Sequence, residues 1–333
     1  MSAVEQGAAT VPSGGLAPEV PLHRAVPARA RPWATAAGGA VAAGAILYLL
    51  ICGYVALALT ATARKPFTRF PEQYGLSYET VAFSSRVDHV PLEGWLLAAV
   101  PEASDPAATR RPVVIVHGKG GDREDAADGK VLEIAAALVK AGHPVLLFDL
   151  RGSGRSGGAH FTLGAQEVRD VGGALDFLQQ RGLAHDGIDL LGYSMGAATV
   201  LLDAPYEPAV HAVVEDSSYA DLGSVIDDQF PRMSGLPGWF APGVILMARP
   251  LLGVDAYSIR PVEGAARLAE QHTPLLVIHG EADTLIPVIH GRRIAARYGP
   301  GVQTLFVSGA KHTAAYSVAP QTYLSKLLAF LAQ

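Results

Sequence analysis

The chain has 333 residues, 50% of them apolar and 17% charged, with a formal net charge of −5. That balance excludes a disordered polar polymer, and the lack of a basic block or of interleaved aromatic and basic residues argues against a nucleic-acid partner. The single cysteine, Cys52, excludes an intrachain disulfide and a thiolate zinc site.

Residues 1–32 are rich in Ala, Pro, Gly and Val with few large apolar side chains, a composition expected of a disordered tail. From Pro32 to Ala63 there is no Asp, Glu, Lys or Arg. This run predicts one transmembrane helix over 33–63, since it exceeds the ~20 apolar residues that cross a bilayer. A cleaved secretory signal ending at Ala61-Thr62-Ala63 competes with that reading. Both the proline-rich front end and the apolar run overshoot the about 7–15 residues of a signal core, which favours an uncleaved anchor. Lipid attachment at Cys52 is disfavoured by the bulky Ile51 before it. Arg24, Arg29 and Arg31 on one flank and Arg64, Lys65 and Arg69 on the other leave the orientation open.

Residues 64–73 read as a linker with two prolines. From 74 to 333, apolar runs of strand length alternate with segments of helical period, the pattern of one α/β domain with a mostly parallel sheet. "YETVAFSS" and "EGWLLAAV" predict an opening antiparallel pair. "PVVIVHG", "PVLLFDLRG", "IDLLGYS", "AVVEDSS", "PLLVIHGEAD" and "TLFVSGA" predict strands covered on both faces, because each is nearly continuously hydrophobic. Helices are expected over Val131–Ala141, Ala165–Arg181, Met195–Leu202, Ile289–Tyr298 and Pro320–Leu331. Residues 219–260 separate the sixth and seventh strands by far more than an ordinary connection, as a lid would. Phe230, Met233, Leu236, Trp239, Phe240, Ile245, Leu246 and Met247 are its candidates for lining an apolar pocket, or for simply packing a helical excursion onto the core.

The chemistry concentrates at strand ends. "GYSMG" puts Ser194 between Gly192 and Gly196, after a strand and before a helix-forming run, the context of a nucleophile elbow. A serine hydroxyl needs a base and an orienting carboxylate, here in the order Ser, Asp, His. His312 in "GAKH" and Asp283 in "GEADTLIP" each follow a predicted strand, at the edge where sites assemble in an open parallel sheet. Asp216 and Glu281 compete for the acid, while His279 and His290 lie too close to Asp283 along the chain to serve well as the base. The glycine-rich "HGKGGD" can aim the amide of Lys119 at a developing oxyanion, and the amide of Met195 supplies a second donor. Neither a P-loop GK[ST] nor a G-x-G-x-x-G opens a helix, and no H-E-x-x-H pair is present, so no cofactor and no metal are expected.

In this order, "PLEGWLLAAV", "HGKGG", "DLRGSGRSGG", "GYSMG", "GEADTLIP" and "GAKH" resemble the α/β-hydrolase superfamily over residues 74–333, and within it the branch of esterases, monoglyceride lipases and serine aminopeptidase-like proteins. The anchor makes the chain similar to bacterial members with one N-terminal membrane helix. The resemblance implies an eight-stranded, mostly parallel sheet with helices on both faces, a small lid between strands six and seven, and a Ser194–Asp283–His312 triad. It also implies hydrolysis of an ester, thioester or lipid acyl bond through an acyl-enzyme, with a small-molecule or lipid substrate. A peptidase or amidase is the enzymatic alternative, and an inactive binding module would lack a triad member. Lys311 departs from the family pattern, which often has a glycine before the histidine. Arg151 and Arg155 are expected to be structural.

Overall fold

The computed structural model describes residues 32–62, 64–99 and 110–333. The expected tail lies outside them except for Pro32. The chain divides into two units, Met1–Ile46 and Leu47–Gln333, and the packing described below belongs to the second.

Helix α1 (Pro32–Thr60) carries the apolar run. Its stretch Ala36–Thr60 is long and apolar enough to cross a membrane. Beyond it come β1 (Tyr78–Ser84), β2 (Pro91–Leu97), β3 (Val113–Val116), α2 (Val131–Lys140), β4 (Val145–Phe148), α3 (Glu167–Gln180), β5 (Ile188–Tyr193) and α4 (Met195–Asp203). Next are β6 (Val210–Asp216), α5 (Leu222–Ser234), α6 (Ala241–Leu252), α7 (Pro261–Glu270), β7 (Leu275–Gly280), α8 (Ile289–Tyr298), β8 (Gln303–Val307), α9 (Ala315–Val318) and α10 (Pro320–Leu331).

These strands form one sheet in the order β1-β2-β4-β3-β5-β6-β7-β8. The β1–β2 and β2–β4 pairs are antiparallel and the rest parallel. Every residue of β3, β4, β5 and β7 is buried, as their unbroken apolar runs require once helices cover both faces. One face packs on α2 and α10 through Ile134, Leu138, Leu327 and Phe330. The other packs on α3, α4, α7 and α8 through Leu175, Leu201, Leu268 and Ile294. Strands β4 and β5 flank β3 on opposite sides, so the chain reverses its direction of winding there and the loops after β3 and β5 part to leave a crevice.

Three elements differ from the sequence expectation. Helix α7 was not foreseen; its buried face sets Gly264, Ala265 and Ala266 among Pro261, Val262 and Leu268. Those small residues let it approach α4 so closely that a side chain at Gly264 would run into the Leu201 carbonyl. Residues 64–73 are not a loose tether: Phe67 and Phe70 pack on Trp95, and the Thr68 amide donates to Glu124 at 3.0 Å. Finally, the second half of α1 does not stand free. Cys52, Val55 and Ala56 are buried against Phe230, Ala241 and Val244 of the segment between β6 and β7.

Candidate active site

Ser194 follows β5 directly and heads α4 with φ 53° and ψ −116°, a backbone region that costs a non-glycine residue about 1–3 kcal/mol. The turn is held from several sides. The Ser194 amide donates to the Asp216 carbonyl of β6 at 2.9 Å, and the Ala198 amide returns to the Ser194 carbonyl at 3.0 Å. Gly192 and Gly196 permit it: a Cβ at Gly192 would lie 2.6 Å from the Ala197 Cα, and one at Gly196 would strike the carbonyls of Val116 and His117. The hydroxyl is thereby raised above the carboxyl end of the sheet.

His312, in the loop after β8, approaches with Nε2 2.8 Å from Ser194 Oγ. Its Nδ1 lies 2.6 Å from Asp283 Oδ2. An ionised carboxylate can only accept, so Nδ1 carries the proton and Nε2 is left to accept from the serine, the tautomer a general base requires. Asp283 is fixed in turn by the amides of Leu285 and Ile286, both 2.9 Å from Oδ1. Burial would raise its carboxyl, but the nearby His279 ring, the hydrogen bond from His312 and the Ile286 amide hold it well below the ordinary carboxylate range. It therefore stays charged beside the His312 ring. The three groups, separated by 89 and 29 positions in sequence, meet because β5, β7 and β8 end at one edge of the sheet with only β6 between β5 and β7.

The competing acids are engaged elsewhere. Asp216, fully buried, accepts from Ser217 Oγ at 2.8 Å and from the Tyr323 hydroxyl at 3.2 Å. Glu281 faces outward and pairs with Arg292 at 3.0 Å. Of the other histidines near Asp283 along the chain, His290 accepts the Ala220 amide at 3.2 Å. His279 has a role that its position in sequence concealed: its Nε2 donates to the Ile286 carbonyl at 2.8 Å and lies 3.6 Å from Asp283 Oδ2. It stands beside the same carboxylate oxygen that accepts from His312.

Gly118 packs against Ser194, its position 3.1 Å from Ser194 Cβ for a hypothetical side chain, and the loop beyond it carries Lys119 to the rim. The loop's conformation is locked by His117, whose Nδ1 donates to the Gly118 carbonyl at 2.8 Å while Nε2 accepts the Leu150 amide at 3.0 Å. Among the described residues, neither the Lys119 nor the Met195 amide donates to a backbone carbonyl in a turn, loop or cap. The loop also rests on Arg123, which sequence reasoning missed. This fully buried guanidinium lies against the Phe67 and Trp95 rings, 4.9 and 5.1 Å from their centres, and pairs with Asp149 at 2.6 Å. Asp149 in turn accepts the Arg123 and Arg155 amides at 2.9 and 2.8 Å, tying "HGKGGD" to "DLRGSGRSGG". Arg151 is buried between Asp170 and Asp88, at 2.7 and 2.8 Å.

Above Ser194 lies a cavity of about 310 Å³, roofed by Leu163, Tyr219, Leu222, Val225, Ile226 and Met233. Of the apolar residues expected to line a pocket from 219–260, Met233 borders this cavity, and Phe230 and Ile245 border a smaller neighbour. Leu236, Phe240 and Met247 pack around the end of α1 instead. Trp239 and Leu246 are 63% and 58% exposed.

Residues 111–250 match the family model of the alpha/beta hydrolase fold. The chain is 30% identical over 228 residues to the Mycobacterium tuberculosis protein Rv2307c, covering 68% of this chain and 69% of that one. It is 24% identical to YfhR of Escherichia coli over 281 residues, 82% of this chain and 88% of the relative. Among solved structures, the Pyrococcus furiosus esterase Pf2001 superposes with a TM-score of 0.66 at 23% identity, over 82% of this chain and 97% of that one. The Pyrococcus horikoshii acylaminoacyl peptidase does so with a TM-score of 0.54 at 16% identity, over 77% and 41%. With its eight-stranded sheet, its serine on the sharp turn after β5 and these relatives, the chain belongs to the α/β-hydrolase family.

Proposed function

We propose that the protein is a membrane-anchored serine hydrolase that cleaves a carboxylic ester, thioester or lipid acyl bond through an acyl-enzyme. The observation that carries this reading is the continuous hydrogen-bonded series from Ser194 Oγ through His312 to Asp283, at 2.8 and 2.6 Å.

In the first half-reaction, Ser194 Oγ attacks the substrate carbonyl as His312 Nε2 takes its proton. Asp283 holds the ring's orientation and stabilises the imidazolium without itself being protonated. The amides of Lys119 and Met195 receive the tetrahedral oxyanion, each worth about 2.7–4 kcal/mol to the transition state. His312 then returns its proton to the departing oxygen or sulfur, leaving the acyl group on Ser194. In the second half, His312 deprotonates a water that attacks this ester, and the acid departs as Ser194 recovers its proton.

An acyl substrate is favoured over a peptide by the apolar roof of the cavity, which offers few groups to pair with a peptide backbone. Membrane attachment is supported by the length and hydropathy of Ala36–Thr60 and by exposed Trp239, which stacks on Tyr48 of α1 with ring centres 5.7 Å apart. Fluorophosphonate labelling tests the reading. Wild type forms a covalent adduct and hydrolyses p-nitrophenyl esters, whereas Ser194→Ala forms none and loses on the order of 10⁵–10⁶ in kcat. An adduct that persists in Ser194→Ala, or none in wild type, overturns it.

A further inference from the structure

Next to the cavity above Ser194 is a second, smaller one of about 70 Å³, between α5, α6 and the end of α1. The two share Lys119, Leu163, Leu222, Ile226 and Met233 as common walls, so the second continues the first away from the nucleophile. Its far wall is Ala56, Leu59 and Thr60 of α1, closed opposite by Phe230 and Val244. The polar residues on its surface have their hydroxyls spent: Thr60 Oγ1 donates to the Ala56 carbonyl at 2.8 Å, and Thr162 Oγ1 to Glu167 at 2.7 Å. Lys119, at the junction, turns its ammonium over the Phe161 ring at 5.2 Å.

We infer that this second cavity is an acyl-chain subsite and that α1, besides anchoring the protein, forms part of the substrate-binding wall. The inference rests on Ser194 being the nucleophile. A space with no unspent hydrogen-bonding hydroxyl rewards only apolar contact. It is also less than half the size of the ~150 Å³ cavity that holds benzene, so it suits an unbranched alkyl chain rather than an aromatic ring. An ester whose carbonyl sits at Ser194 threads its chain past Ile226 and ends against Ala56 and Leu59.

The wall is close-packed because small residues face α1. A side chain at Gly243 of α6 would stand 2.6 Å from Cys52 Sγ and against the Tyr48 hydroxyl, and one at Gly53 would meet Leu251 and Met247 at 3.3 and 3.4 Å. This small-residue contact is how apolar helices approach closely without a polar seam. It fixes α1 as a surface against which chain length can be measured.

The full chain, reconstituted in phospholipid nanodiscs, is assayed with p-nitrophenyl esters from acetate to palmitate. Two variants narrow the subsite, Ile226→Trp at the junction and Ala56→Phe on α1. Tyr54→Ala alters the exposed side of the same helix. The expected result is a wild-type preference for long chains. Both narrowing variants lower the long-to-short ratio of kcat/KM by about tenfold or more, while Tyr54→Ala leaves the ratio unchanged. In a Ser194→Ala background, Ala56→Phe also weakens binding of a fluorescent long-chain fatty acid by about tenfold. An unchanged ratio in both narrowing variants, or a wild-type preference for acetate, overturns the subsite while leaving the nucleophile standing. If wild type gives neither an adduct nor turnover, the nucleophile fails, and fatty-acid binding insensitive to Ala56→Phe then overturns the subsite as well. Release of fatty acid from the nanodisc phospholipid with the same dependence on Ala56 and Ile226 identifies a membrane lipid as the source. The same dependence confined to the added esters identifies a free acyl ester.

Discussion

The rim of the sheet and the segment between β6 and β7 are held together in opposite ways. At the rim, the three side chains are positioned through directional bonds at and just beyond the strand ends: the Ser194 amide to the Asp216 carbonyl, Asp283 from the Leu285 and Ile286 amides, and the Thr313 amide beside the histidine to Ser217 Oγ at 3.2 Å. Around α5 and α6, contact is almost wholly apolar, with Phe230, Val244 and Ile245 resting on α1 or on the underlying core. Hydrogen bonds define angles to within a narrow range, which chemistry demands. Apolar contacts depend on buried area and impose no such angles.

The comparison breaks first at Asp283. Asp283→Asn keeps the side chain's shape but can donate to His312 and so stabilises the wrong tautomer; kcat falls by about 10⁴ while KM changes little. A loss of only a few-fold in steady-state assays means the rim does not depend on that hydrogen bond. The next effect is on stability. Asp203, at the end of the helix that Ser194 heads, is buried with one carboxylate oxygen unpartnered, and burial, helped by Glu207, raises its pKa to about 8. Because this folded value lies above the unfolded one, the contribution is fully present below about pH 4 and is lost as pH rises through about 8. Wild-type Tm is therefore expected to fall between pH 5 and 9 by the equivalent of a few kcal/mol, and Asp203→Asn makes that slope shallower, with Glu215, also buried and raised to about 8, supplying part of the remainder. Equal slopes in thermal scans of the two proteins would remove Asp203 as its source. The smallest effect belongs to the apolar side. Gly243→Leu overpacks the contact with Tyr48 and Cys52 and costs about 1–3 kcal/mol, seen as a lower Tm, while the fluorophosphonate labelling rate at Ser194 stays within a few-fold. A collapse of labelling in protein that remains folded would mean that the two regions are not separable.

Much of the rim was legible because its signals are local. A serine between two glycines after an apolar run has few physical readings, and Asp283 and His312 each follow a short apolar run. What failed to show was contact between residues of unlike sequence context. His279 was set aside for its nearness to Asp283 along the chain, yet the turn after β7 folds it back onto that same carboxylate. Arg123 gave no sign of being buried, since a lone arginine in a polar loop ordinarily faces water; Trp95 and Phe67, supplied from far along the chain, cover it. The apolar residues of 219–260 could be recognised as a group, but which would face the site and which would face α1 could not.

The sequence by itself determined the α/β alternation, the strained serine turn and one apolar helix, because each rests on periodicity or on steric demands among neighbouring residues. Only the tertiary structure decided that Asp216 is a brace rather than the acid partner of His312, and that the apolar helix borders the cavity beside Ser194. Both depend on which strand ends and helix faces adjoin, and that is set by the order of strands in the sheet and by close packing of small residues across helices. Neither leaves a mark in any short stretch of the chain.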